Sequence, residues 1–135
     1  VDDVADDLLI ADTDLIIDFL RGRGVGAELV ESSLRSGALR MTAVTAFELR
    51  LGADFLGRQR AIEAFMKRRT LPLDGAAALL AGEVYTTLER SGDRIGVPDA
   101  LIAGTCLRFD LPLATRNLRH FGRVPRLRLV ELGST

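Results

Sequence analysis

The chain has 135 residues, 47% of them hydrophobic and 27% charged, with a formal net charge of −1. That length suits one domain, residues 1–135, with enough chain to bury a core. No apolar run approaches the ~18 residues that a membrane span requires, and the single cysteine, Cys106, excludes an internal disulfide and a Cys-cluster metal site.

The start, Val1-Asp2-Asp3-Val4-Ala5-Asp6-Asp7, is acidic and lacks the basic region of a signal peptide. Residues 1–7 are expected to form a loosely ordered extension, and the expected location is the cytoplasm. Leu8-Leu9-Ile10-Ala11 reads as a short buried strand and residues 13–20 as a helix, broken at Arg21-Gly22-Arg23-Gly24. The glycines of Gly22-Arg23-Gly24-Val25-Gly26 follow a helix and lack G-x-G-x-x-G spacing, so they read as a turn. Residues 27–35 are helical in pattern, with Gly37 as the stop, and residues 39–42 form a second strand.

The next segment, 43–56, reads as one helix with Phe47, Leu51 and Phe55 on a single stripe. Residues 59–68 continue helically, with Ile62, Phe65 and Met66 apolar. Part of the surface from Phe47 to Met66 is expected to form a hydrophobic groove for a partner helix. A third strand covers 70–73. Asp74 can cap the Ala-rich helix that runs to about residue 90. Residues 91–97 form a loop, Pro98 starts a helix over 99–109, and further strands follow at 113–115 and 127–132. Cys106 falls in an apolar helical stretch and is expected to be core. Strands alternating with helices predict an α/β fold, with a mostly parallel sheet of about five strands covered on both faces.

Four polar residues recur where this pattern places one edge of the sheet. Asp12 and Asn117 follow strands; Glu48 and Asp99 lie near helix starts. In open α/β sheets ligands bind outside the carboxyl ends of the strands. Each residue also has a structural role open to it. Asp12 can cap the next helix. Glu48 can close a capping box with Thr45. Asp99 can face a helix dipole, and Asn117 can cap the turn at 118–121. Together, three acids at one edge repel unless a cation neutralises them. Carboxylate oxygens suit a hard divalent ion such as Mg²⁺ or Mn²⁺, which makes phosphodiester chemistry the leading reading. The charge pattern agrees. Residues 1–18 hold seven aspartates and no Lys or Arg, whereas all 18 basic residues, 17 of them arginine, lie beyond. Arginine's planar fork suits phosphate. His120, the lone histidine, reads as a surface residue or a support to the site, and a single His cannot build a His-rich zinc site.

Four segments together resemble the PIN-domain family, especially the VapC-type toxins of bacterial toxin–antitoxin pairs. They are Leu9-Ile10-Ala11-Asp12-Thr13-Asp14 with Asp18-Phe19-Leu20-Arg21-Gly22; Thr45-Ala46-Phe47-Glu48-Leu49 with Gly52; Ile95-Gly96-Val97-Pro98-Asp99-Ala100-Leu101-Ile102-Ala103; and Leu113-Ala114-Thr115-Arg116-Asn117 with His120-Phe121. The resemblance implies a three-layer α/β/α sandwich and a Mg²⁺- or Mn²⁺-dependent ribonuclease. It carries catalytic and metal roles to Asp12, Glu48 and Asp99, with Thr13, Thr115 and Asn117 in support. It also implies a homodimer inhibited by a small antitoxin. Arg116 and Arg119, at the expected mouth of the site, could position an RNA backbone. Two departures stand out: Asn117 occupies the last acidic position of many relatives, and Asp14 adds a charge without an assigned role. A metal-dependent phosphatase or DNA nuclease would use the same carboxylates, and an inactive PIN-like binding module is the alternative from another class.

Overall fold

The computed structural model describes residues 7–132, without the side chains of Ala53 and Asp54. Apart from Asp7, the expected acidic extension lies outside the described residues. In chain order the elements are β1 (Leu9–Ala11), α1 (Thr13–Arg21), α2 (Val25–Ser36), β2 (Leu39–Thr42), α3 (Ala43–Leu51), α4 (Ala53–Gly57) and α5 (Gln59–Met66). There follow β3 (Thr70–Leu71), α6 (Gly75–Arg90), α7 (Val97–Phe109), β4 (Leu113–Ala114), α8 (Leu118–Phe121) and β5 (Leu129–Val130).

The five strands form one sheet in the order β3-β2-β1-β4-β5, and every pairing is parallel. The chain lays down β1, steps outward through β2 and β3, then returns to place β4 on the other side of β1. That reversal makes the β1/β4 boundary a topological switch point, where a crevice opens at the carboxyl ends of the strands. Alternation along the strands splits the core in two. Ile10 and Leu113 face a cluster with Val84, Leu88, Ile102 and Cys106 of α6 and α7. Ala11 and Ala114 face the opposite cluster with Leu15, Ile16 and Val30 of α1 and α2. Helices therefore cover both faces, as the α/β/α expectation requires. Cys106 is buried, as expected.

Close backbone approach tightens both helical layers. A Cβ on Gly104 of α7 would lie 2.6 Å from the Ala77 carbonyl oxygen and from Ala81 Cβ in α6. A Cβ on Gly26 would lie 2.8 Å from Leu15 Cα, so only glycine lets α2 settle on α1.

Helix boundaries follow local chemistry. Asp74 caps α6 through a 2.8 Å bond from the Ala77 amide, as expected. Helix α2 begins at Val25, two residues earlier than the pattern suggests, because Gly24 adopts φ 96° and turns the chain directly into it. The single helix expected over 43–56 is two. Gly52 takes an extended conformation, φ −79° and ψ 154°, and ends α3. The proposed stripe is split with it: Phe55 is buried, whereas Phe47 is 64% and Leu51 69% exposed. Ile62 is also buried, and Phe65 stacks on Phe19 of α1 with ring centroids 5.5 Å apart. Of the apolar residues named for the expected groove, Phe47 and Leu51 are turned outward, as is Leu56 in the same span. Phe47 lines an apolar cleft of about 290 Å³ with Val44, Leu73, Pro98 and Leu101, beside Glu48.

Among the described residues no helix is long and apolar enough to cross a membrane.

Candidate active site

The register of the two central strands sets the site. Ala11 pairs with Ala114, so the next residues, Asp12 and Thr115, leave the sheet side by side. Asp12 is the N-cap of α1 and its side chain accepts the Thr13 amide at 2.9 Å. Its other oxygen accepts the Thr115 hydroxyl at 2.8 Å. Thr115 in turn accepts the Asn117 amide at 2.9 Å. The capping role foreseen for Asp12 is thus real and coexists with its place in the crevice.

Asp12 is 7% exposed. Burial pushes its carboxyl above the ordinary value; the Thr115 hydroxyl and the Thr13 amide pull it part of the way back, and the charges of Asp14 and Asp99 push it up again. A charge taken from water and set near two others is the environment a cation would relieve.

Glu48 reaches the same region by another route. Thr42, not Thr45, caps α3, accepting the Thr45 amide at 3.1 Å. The helix therefore starts two residues before the expected capping box, and Glu48 is not spent on closing it. Glu48 Oε1 instead accepts the Thr13 hydroxyl at 2.6 Å. Thr13 also lies 2.9 Å from the Thr45 hydroxyl.

Asp99 sits in the first turn of α7, close enough for its charge to act on Asp12. His120 Nδ1 lies 3.4 Å from Asp99 Oδ2 and 3.1 Å from Asn117 Nδ2. Asn117 also caps α8, accepting the His120 amide at 3.4 Å. His120 thus stands between the two residues, which makes it a support of the site. Arg116 has a protein partner. Its Nη1 pairs with Asp18 Oδ2 at 2.9 Å, so that charge is already engaged. Arg119 is exposed. Asp14 is exposed beside the site and acts on Asp12 through its charge.

The sequence-predicted residues therefore gather at one sheet edge, with hydroxyls and an imidazole interposed. Among the described residues, no three His, Cys, Asp or Glu side chains converge closely enough to enclose a metal ion. The donor set still fits a hard cation. Mg²⁺ keeps several waters and commonly takes only one or two protein carboxylates, the rest coming from solvent and substrate phosphate.

Thr42, the place of Thr45 beside Thr13, and the pairing of Asp18 were not foreseen from the sequence. A Thr-x-x-Thr at a strand-to-helix junction was the available signal for the first two. Asp18, 98 residues from Arg116, offered none.

Residues 9–127 match the PIN domain. Ribonuclease VapC10 of Mycobacterium tuberculosis (strain ATCC 25618 / H37Rv) is 31% identical over 121 residues, covering 90% of this chain and 91% of that one. The tRNA(fMet)-specific endonuclease VapC of Shigella flexneri is 37% identical over 101 residues, 71% of this chain and 76% of that protein. Among solved structures, DNA-bound VapBC from Salmonella typhimurium superposes with a TM-score of 0.76 at 25% identity, over 91% of this chain and 96% of the other. The chain belongs to the PIN-domain family, with ribonucleases of the VapC type among its relatives.

Proposed function

We propose that this protein is a divalent-metal-dependent endoribonuclease, the toxin of a VapBC-like toxin–antitoxin pair. The observation that carries the reading is the setting of Asp12. It is a buried carboxylate at the switch point, its charge opposed by Asp14 and Asp99, with Glu48 held by the hydroxyl of the adjacent Thr13. The VapC names and the VapBC complexes among its relatives support RNA as substrate and a small VapB-like antitoxin as partner. A homodimer acting in the cytoplasm completes the proposal.

Asp12 and Asp99 would hold Mg²⁺ or Mn²⁺, directly or through water. Such an ion polarises a phosphoryl oxygen and lowers the pKa of bound water. Glu48 orients the attacking water and takes its proton as the oxygen adds to phosphorus. The bond from phosphorus to the leaving ribose oxygen breaks, and solvent protonates that oxygen. Thr115 and Thr13 hold Asp12 and Glu48 in place. Exposed Phe47 and its cleft beside Glu48 offer an apolar seat where an antitoxin segment would also block the site.

The test is cleavage of labelled RNA, single-stranded DNA and a phosphomonoester, each with Mn²⁺ and with excess EDTA. RNA alone should be cut, only with metal, and Asp99→Asn should abolish cutting while melting as the parent does. Full activity in EDTA would refute the metal mechanism, and phosphomonoester turnover would reassign the enzyme.

A further inference from the structure

Three threonines lie in line behind Glu48. Thr42 and Thr45 are fully buried and Thr13 is 8% exposed. The hydroxyl separations are 3.3 Å from Thr42 to Thr45 and 2.9 Å from Thr45 to Thr13, and Thr13 lies 2.6 Å from Glu48 Oε1. A hydroxyl has one proton to give and two lone pairs to receive with, and a carboxylate can only receive. Thr13 must therefore spend its proton on Glu48. It has none left for Thr45, so Thr45 donates to Thr13. By the same count, Thr45 receives from Thr42. Thr42 accepts the Thr45 amide at 3.1 Å, so the helix backbone anchors the far end.

We infer that Thr42, Thr45 and Thr13 form a one-way chain of hydroxyl donors that fixes Glu48 Oε1 to the protein and leaves Oε2 as the atom that handles the attacking water. This rests on the role given to Glu48 above and extends it. Thr45 is then a positioning residue that touches no substrate. Buried hydrogen-bond chains polarise one another, so each link strengthens the last bond on the carboxylate. If the threonines merely satisfied one another's hydroxyls, breaking the chain would move stability and leave turnover alone.

The experiment has two arms. In Mn²⁺ with RNA, Thr45→Val should lower kcat roughly 10–100-fold with KM within about twofold, as loss of an outer partner does at metal sites, while Thr45→Ser should stay within about threefold of the parent. In the second arm, NMR of the metal-free parent should show a Thr13 hydroxyl proton protected from exchange, with a cross-peak to the Glu48 side chain. The Thr45 hydroxyl proton should show one to Thr13. A Thr45→Val enzyme as fast as Thr45→Ser would overturn the inference. So would a Thr45 hydroxyl proton directed at Thr42. If Thr45→Val does not fold, Thr45→Ser and the parent spectrum decide. A parent that cuts no RNA defeats the proposed function, and the metal-free spectrum then judges the chain on its own.

Discussion

Thr115→Val removes one hydroxyl from the middle of the site and leaves the shape of the side chain. Two bonds go with it: the one to Asp12 Oδ2 at 2.8 Å and the one from the Asn117 amide at 2.9 Å. A hydrogen bond to a charged group contributes about 1.5–3 kcal/mol, and a neutral one about 1 kcal/mol. Asn117 is only half-buried, so water can replace part of the second bond. The expected destabilisation near neutral pH is then about 2–3 kcal/mol, or about 1 M in urea midpoint for an m-value of about 2 kcal/mol/M.

The penalty should depend on pH, with a defined sign. The folded value for Asp12 is raised, chiefly by burial. Its contribution to stability is thus fully present below the ordinary carboxyl value and is lost as pH rises through the folded one. Thr115 is the largest of the contributions that hold this value down, so the variant's folded value climbs further and the loss at neutral pH deepens. Urea melts of metal-free parent and variant at about pH 7 and about pH 4 should give a smaller difference in acid, by about 1 kcal/mol or more. Equal differences at both would refute the claim that Thr115 serves the ionised Asp12.

Three further outcomes follow from the same geometry. Asp12→Asn should abolish cleavage yet raise metal-free stability relative to the parent at neutral pH, and the gain should shrink on acidification; urea melts across pH will show whether the gap narrows. Gly104→Ala forces a Cβ to within 2.6 Å of α6 backbone atoms, which outweighs the helix-propensity gain. The net cost should be about 1–3 kcal/mol, read by calorimetry as a melting point lower by about 5–10 °C. Arg116→Ala breaks an ion pair whose arginine is nearly half exposed, so it should cost less than about 1 kcal/mol. It should also weaken RNA binding less than Arg119→Ala, because Asp18 already neutralises Arg116; the opposite order in salt-dependent binding curves would show that RNA draws Arg116 away.

Much of this arrangement is legible in the residues themselves. Leu9-Ile10-Ala11 and Leu113-Ala114 are short apolar runs with a polar residue at the end of each, and in a parallel sheet such ends share one edge. That reasoning alone brings Asp12 and Asn117 together. The break in α3 was not legible. Phe47, Leu51 and Phe55 keep helical spacing, and a glycine in such a pattern is often tolerated. Only packing decides that Gly52 extends and that Phe55 alone of the three turns inward. The capping of α3 escaped for a similar reason: Thr42 and Thr45 both suit a helix start, and three-dimensional context chose the earlier. The neutralised Arg116 was beyond local reading altogether, because its partner comes from the first helix.

The bond between Asp12 and Thr115 joins residues 103 apart in sequence, and β4, which positions one of them, is the fourth of five strands. Nothing nearer to Asp12 in the chain supplies that hydroxyl. The crevice therefore cannot form as a local turn early in synthesis. It closes a loop of most of the chain, whose entropy must be met by the whole β1–β4 junction. Competence to act and completion of the fold thus become one event. A chain interrupted before its fourth strand carries Asp12 and Glu48 but lacks the hydroxyl that orients Asp12, so an unfinished copy holds only part of the site.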